Sequence, residues 1–580
     1  MTAMTDPARR RSSAWLDAGG VEGLLRRGYL RTAGLSEEDL TRPVIGIAQT
    51  WSELNPCHLG LREVAEDVAR GVRAGGGTPL QFPTMSLGEP YLRPTSMYLR
   101  NLMAMETEEL IRAQPLDGVV LLGGCDKTVP AQLMAAASVD LPAVLLTTGP
   151  SLPGNFQGRR LGACTDCRRL WLENRAGTLS DQDLRLAEGS LSGSAGVCTV
   201  MGTAGTMATL LEVLGVALPG TATIPATDPR RTDLALRTGQ AAVAAVRAGL
   251  RPSDLLTDAA FRDATTVLNA IGGSTNAVIH LLAIAGRTTT EFGLDDLAEA
   301  LTGPVLIDVR PAGAGLMEDF DQAGGVAALL SVLADRLDLD RSTVAGGTLR
   351  QHLQPVSPGS TAIHTLEDPV HPGPGLRLLR GSLAPGGAMI KVAAASPALL
   401  RHRGPAVVFD GVEDMRSRMD DPELPVTPDS VLILRGVGPV GGPGMPEAGF
   451  IPIPLGLARQ GVTDMLRITD GRMSGTAFGT IVLHVTPESA RQGPLARVRD
   501  GDIISFDAEA GTIDVDVDHA EFVSRAVTPP PARPERGWDL LFTNSVLGAD
   551  RGVDLDFLVG GSGAQPWGSA RTGAAEELQS

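Results

Sequence analysis

The segment Asp117–Thr148, DGVVLLGGCDKTVPAQLMAAASVDLPAVLLTT, constrains the fold more than any other. Val119–Leu122 is a short uncharged apolar run and reads as a buried strand. Gly123–Pro130 reads as a loop, Ala131–Ala137 as the start of a helix, and Ala143–Thr147 as a second strand. Strand, helix and strand in that order make a βαβ unit, so the N-terminal part is expected to be α/β with a mainly parallel sheet. Such sheets bind ligands at the carboxyl ends of their strands. Gly124-Cys125-Asp126-Lys127 falls at such an end and so has a geometric reason to carry function.

Helical patterning recurs in Asp233–Ala248 and in Asn276–Ala285. Proline and glycine then punctuate residues 310–380, and Pro369–Met389, PVHPGPGLRLLRGSLAPGGAM, reads as a crossing between domains. Beyond it come short β-type runs at Pro405–Phe409, Val431–Arg435, Ile481–Val485, Asp502–Phe506 and Gly511–Val517, which predict a barrel or sandwich with a few helices. A proline-rich strip, Thr528–Pro534, precedes a terminal tail. At 580 residues one ordinary core is too small, and the expected division is in three parts. An extension with the first helices spans 1–44, an α/β domain 45–372, and a β-rich, barrel-like domain with helices 373–580.

Several function classes are excluded early. A net charge of −17 with 3% aromatic residues offers neither basic patches nor stacking rings for nucleic acid. The start, MTAMTDPARRRSSAW, has arginines but no apolar run behind them, so no secretory leader is expected. Val197–Leu218 is long enough to suggest a membrane span, but Glu212, glycines and threonines dilute it. It reads as a glycine-rich segment leading into a core helix, and a cytoplasmic protein without membrane partners is expected.

Five cysteines in such a chain argue for reduced thiols. The pair Cys164-Thr-Asp-Cys167 could be half a zinc site or a redox couple, but it has no second pair and no nearby histidine pair. Cys57, Cys125 and Cys198 are far apart, yet each lies among glycine, proline or small residues that form tight loops. Three thiolates on three loops would suit an iron–sulfur cluster with one iron position open, and they are equally compatible with inert buried thiols. Only two of the 50 basic residues are lysines, Lys127 and Lys391.

Read together, several segments resemble the dihydroxy-acid dehydratase and 6-phosphogluconate dehydratase family, which includes the sugar-acid (aldonate) dehydratases. They are NPCH around Cys57, SLGEPYLRPTSM around Glu89, GGCDKTVPAQLM around Cys125, CTVMGTAGTM around Cys198, and IGGSTNAVIHLLAIAGR at 271–287. In the second half they are GPVGGPGMPE, ending at Glu447, and DGRMSGTAFG around Ser474. The resemblance implies a hydro-lyase that removes water from a 2,3-dihydroxy acid and leaves a 2-keto-3-deoxy acid. It implies an iron–sulfur cluster on Cys57, Cys125 and Cys198, two-iron in preference to four-iron, with Cys164 and Cys167 outside the ligand set. It also implies magnesium on Glu89, Asp126, Glu447 and a carbamylated Lys127, with Ser474 as the base.

The chemistry agrees with that set. A hard ion suits the carboxylate and 2-hydroxyl of the substrate, and an iron with an open position suits the departing 3-hydroxyl. A carbamate can form on lysine but not on arginine, whose guanidinium stays protonated. Arg472 and Thr476, flanking Ser474, are candidates to hold the anionic substrate; His58 and His280 read as core or loop residues. Lys391 has no role that the sequence suggests.

Glutamate in Ser86-Leu87-Gly88-Glu89, with LRPTSM after it and GADRGVDLDFL at 548–558, resembles the sugar-acid branch. The expected substrate is therefore a pentonate or hexonate such as arabinonate, xylonate or gluconate. The branched-chain amino-acid enzyme is the alternative, and a redox protein on the same cysteines is the alternative of another class. No basic cluster dedicated to a phosphate is visible. A homodimer or homotetramer is expected.

Overall fold

The computed structural model describes residues 10–527 and 531–565. The start of the N-terminal extension, the first three residues of the Thr528–Pro534 strip and most of the terminal tail lie outside the described residues.

Four strands, β1 (Val44–Gln49), β2 (Thr78–Pro83), β3 (Gly118–Gly123) and β4 (Ala143–Thr147), form a parallel sheet in the order β2-β1-β3-β4. Every residue of β3 and β4 is buried, as near-continuous apolar runs require in a sheet covered on both faces. The crossover helix between them is Thr128–Val139. It starts three residues before the expected Ala131 because Pro130 fits in a first turn, where its missing N–H is not needed. Helices Leu61–Ala74 and Arg230–Ala248 touch backbone to backbone beside the sheet. A Cβ on Gly71 would lie 2.0 Å from Leu236 O, and one on Gly239 2.2 Å from Val68 O, so only glycine permits the approach. Inside Val197–Leu218 the helix is Thr203–Val213, buried on all sides. No helix among the described residues is long and apolar enough to cross a membrane.

After a small hairpin, β5 (Gly154–Phe156) with β6 (Arg159–Leu161), the remaining strands build the second half. They are β7 (Arg377–Gly381), β8 (Ala384–Ile390), β9 (Arg401–Asp410), β10 (Val431–Arg435), β11 (Arg467–Thr469), β12 (Ile481–Thr486), β13 (Ile503–Asp507) and β14 (Thr512–Val515). They close into a barrel in the order β10-β11-β12-β8-β7-β14-β13-β9. Alternation along β10 divides its burial: Val431 and Ile433 join the core with Ile468 and Val482, while Leu432 and Leu434 pack with Met415 and Met419. One expectation is corrected here. Most of Pro369–Met389 is not a crossing but the antiparallel pair β7–β8. Its glycines are strand glycines of a bent barrel wall, and Gly387, at φ +108°, sits where β8 slips register against β12.

The GADRGVDLDFL segment is clamped onto the first half by buried charge. Arg287 grips Asp554 with two hydrogen bonds (2.6 and 2.9 Å) and reaches Glu108 at 3.2 Å and Ser138 at 3.1 Å, with none of its side chain exposed. Removing one member of such a cluster leaves the others buried and uncompensated. Arg287→Ala should therefore destabilise the fold by about 3–5 kcal/mol, read as a shifted denaturation midpoint. Arg287→Lys should recover only part of this, because an ammonium cannot make the paired contact.

Candidate active site

The order of the sheet reverses between β1 and β3, and at such a point the loops after the two strands open a crevice. The loop after β1 carries Cys57 in the short turn Pro56–His58, capped by Asn55 Oδ1, which accepts from Cys57 N (3.2 Å). The loop after β3 carries Cys125, Asp126 and Lys127. His58 ties the two loops together: Gly124 N donates to its Nε2 (3.0 Å), and its Nδ1 donates to Thr50 O (2.8 Å). Burial lowers its pKa. Both ring nitrogens are thus committed, and His58 is a strut rather than a base. His280 is also fully buried and held well below its ordinary pKa by burial and by the cations around it, Arg100 first.

The thiols fall into two pairs. Cys125 is hydrogen-bonded to Cys57, which together with burial pushes its thiol well up. Cys198 lies 3.2 Å, sulfur to sulfur, from Cys164. Cys164, set apart from the expected ligands on sequence grounds, thus lies beside Cys198. The Cys198 thiol is pushed up by that contact and by burial, while Cys164 is lowered by the hydrogen bond from Cys198 and by Arg168, against burial. Cys125 itself has φ +61°, a left-handed backbone that a non-glycine residue adopts at some expense, as functional loops often require.

Beside the sulfurs sit the acids. Glu89, Asp126 and Glu447 each bring one carboxylate oxygen within 4.8 Å of the others, a set that could hold a metal ion. Cys125 Sγ is 3.4 Å from Asp126 Oδ1, so the sulfur and oxygen donors are contiguous. Lys127, fully buried, contacts Asp126 directly and lies 3.2 Å from Glu447 and 3.5 Å from Glu89. Burial and Arg472 would push its pKa down, but these three carboxylates outweigh them and it is raised. Burial likewise opposes the charge on Glu447, yet Lys127, Arg472 and Arg168 bring its pKa to about 2.

Each acid has its own support. Glu89 accepts from Thr95 Oγ1 (2.7 Å) and from Ser96 N (3.0 Å) and Oγ at the start of helix Ser96–Ala113. Glu447 comes from the loop between β10 and β11, where Arg472 holds it. Arg472 donates to Glu447 Oε1 (3.2 Å), Thr95 Oγ1 (3.1 Å) and Met445 O (2.8 Å), and it is fully buried. Its donors therefore orient two of the acids instead of lying open to a substrate.

The loop between β11 and β12 presents Ser474, half-buried. Its Oγ is 2.8 Å from Thr476 Oγ1 and 3.5 Å from Thr476 N. Arg168 donates to Thr476 Oγ1 (2.7 Å), which turns the threonine's own proton toward Ser474. The neighbouring Gly475 packs so tightly that a Cβ there would lie 2.7 Å from Thr203 N, at the start of the helix that follows Cys198.

Two donor sets are thus present: soft sulfur donors of the kind that suit iron and hard carboxylates of the kind that suit magnesium. Asn276 reinforces the fit, since it donates to Glu447 Oε1 (3.4 Å) and Met473 O (3.2 Å) while its buried Oδ1 has no partner. Arg168 and Asn276 were missed as site residues. Asn276 had a signal, its place in IGGSTNAVIH, whereas Arg168 had none. The sequence shows no basic cluster dedicated to a phosphate, but the fold brings separate arginines together. A cleft of about 730 Å³ opens over Glu89 and Glu447, and Arg93, Arg168, Arg175 and Arg416 line it. They come from separate segments, so no run in the sequence reveals them.

An α/β sheet is joined to a closed barrel, and thiols meet an acidic trio that could hold a metal ion. Residues 42–352 match the dihydroxy-acid/6-phosphogluconate dehydratase N-terminal family, and residues 361–553 match its C-terminal counterpart. The chain is 44% identical over 95% of its length to the 6-deoxy-6-sulfo-D-gluconate dehydratase of Pseudomonas putida, of which 96% is covered. It is 45% identical over 96% of its length to the L-arabonate dehydratase of Azospirillum brasilense, with 98% covered. It is 41% identical over 89% of its length to the dihydroxy-acid dehydratase of Mycobacterium avium (strain 104), with 92% covered. The chain belongs to the dihydroxy-acid/6-phosphogluconate dehydratase family and is a dehydratase, a hydro-lyase.

Proposed function

We propose that this chain dehydrates a sugar acid, a pentonate or hexonate, to its 2-keto-3-deoxy acid. The observation that carries the reading is the continuity of the two donor sets at Cys125–Asp126, with Ser474 on the loop whose Arg472 holds Glu447. In this reading Cys57, Cys125 and Cys198 hold an iron–sulfur cluster, and Glu89, Asp126, Glu447 and Lys127 as its carbamate hold magnesium. When bound, the two groups supply Lewis acidity toward the 3-hydroxyl and charge stabilisation for the enolate. Ser474 takes the C2 proton, and the hydroxyl and amide of Thr476 stabilise the anion that Ser474 must become to do so. Loss of that proton and of the 3-hydroxyl as water leaves an enol, which tautomerises to the keto acid. No electron acceptor enters this balance, which separates the reading from a redox protein.

The arginines of the cleft, of which Arg175 is paired with Asp420 and Arg168 donates to Thr476, favour a second, narrower reading through Arg93 and Arg416: a hexonate carrying another anion at its far end. The Pseudomonas putida relative is named for such a compound. A panel of pentonates, hexonates, a 6-sulfo or 6-phospho hexonate and 2,3-dihydroxy-3-methylbutanoate, assayed for 2-keto acid, tests both. A sugar acid should be preferred over the branched-chain substrate by at least about tenfold in kcat/KM, or ~1.4 kcal/mol of transition-state binding. The reverse preference would move the chain to the branched-chain activity.

A further inference from the structure

We propose that Cys164 supplies a fourth thiolate to the iron–sulfur cluster, on the side of Cys198. The inference rests on the reading that Cys57, Cys125 and Cys198 hold that cluster. The sulfurs of Cys164 and Cys198 are 3.2 Å apart, too far for a disulfide, whose bond is about 2.05 Å, and close enough for both to serve one tetrahedral ion. Cys57 and Cys125 form the other pair, so the four thiols present themselves two and two. That arrangement matches two irons with two sulfur ligands each.

Cys164 is held in place by contacts from the catalytic loop. It precedes helix Thr165–Ala176 with φ +74°, a conformation that favours glycine. Thr165 Oγ1 donates to Thr476 O (2.8 Å), and Arg168 spans Cys164 O (2.8 Å) and Thr476 Oγ1 (2.7 Å). The Ser474 loop therefore fixes the residue that aims this thiol, and Arg168 brings a positive charge to offset a thiolate. A ligand at that position fills the place that three cysteines leave open only while substrate is absent, and it must yield that place to the 3-hydroxyl for the proposed reaction to proceed. Cys167, on the same helical turn, is the natural control.

The test uses the full chain reconstituted anaerobically, comparing wild type with Cys164→Gly, Cys164→Ser, Cys167→Ser and Cys57→Ser. Glycine suits the backbone at 164, so Cys164→Gly keeps the fold while removing the sulfur. Cys164→Gly and Cys164→Ser should keep their iron and sulfide. Both should show a changed visible absorption and a changed electron paramagnetic resonance spectrum after reduction. Both should also bleach in air about tenfold faster or more, the scale at which lost support weakens metal sites. Cys167→Ser should match wild type in all of these. Spectra and bleaching of both 164 variants superimposable on wild type would overturn the fourth ligand alone. Full iron retention in Cys57→Ser would overturn the underlying cluster reading as well.

Discussion

Ser474→Ala should lower turnover by about 10²–10⁴-fold, the range that a positioned base contributes, with iron, sulfide and magnesium contents unchanged. The variant should also stop exchanging the substrate's C2 proton with deuterated solvent. This separation is expected because the hydrogen bonds of Ser474 run to Thr476, at 2.8 Å from its hydroxyl, and not to the carboxylates. Loss of exchange with intact metals is the signature of a missing base. Exchange at near wild-type rate would place the base elsewhere. His58 is then a poor substitute, since Gly124 N occupies its Nε2 and Thr50 O its Nδ1. Thr476→Val should lower exchange in the same direction by a smaller factor, because it removes the hydroxyl donor but leaves the amide.

Lys127→Arg is expected to abolish both magnesium binding and activity. Changing a residue merely behind a metal ligand typically weakens binding 10–100-fold, so losing a ligand itself should cost at least about 100-fold in magnesium affinity. In the structure three carboxylates surround the Lys127 amine, at 3.2 and 3.5 Å for Glu447 and Glu89 and in direct contact for Asp126. A divalent ion on those carboxylates would take over their charge and repel an ammonium. The ammonium would then lose one proton to solvent, and its nitrogen, bonding to the carbon of carbon dioxide, would lose a second as the carbamate forms. Modification is therefore expected to need magnesium and bicarbonate together. Intact-mass measurement under bicarbonate should show one added carbon dioxide in wild type with magnesium and none in Lys127→Arg. Depleting bicarbonate should lower wild-type activity reversibly. Full activity in bicarbonate-free buffer, or magnesium binding retained in Lys127→Arg, would refute the carbamate.

Much of the site was legible because its ligands sit in local contexts with their own physics. Gly124-Cys125-Asp126-Lys127 follows an apolar run that can only be a buried strand, and a glycine-rich turn there must face the ligand side of the sheet. Helix Asn276–Ala285 was legible to the residue, since a continuous apolar stretch after Ser-Thr leaves little choice. The barrel was harder. β11 is three residues long, and β7–β8 is so rich in glycine and proline that local propensity argues against strand. Their pairing with β10, β12 and β14 decides the matter, and that pairing is not a local property.

By itself the sequence determined the class of each half and the glycine-rich turn after β3 that carries Cys125, Asp126 and Lys127. These follow from residue type and short-range periodicity, which act within a few residues of each other; the rest of the expected donor set came from the resemblance to the family. Only the tertiary structure decided which groups meet. Lys127 and Glu447 are 320 positions apart, yet their charges balance each other at 3.2 Å. Arg472 is taken up by Glu447, Thr95 and Met445; His58 is a strut; four arginines share one cleft; and Cys164 stands against Cys198. These contacts, some within one half and some between the two, depend on closing long loops, and what repays that entropy is made only in the folded chain.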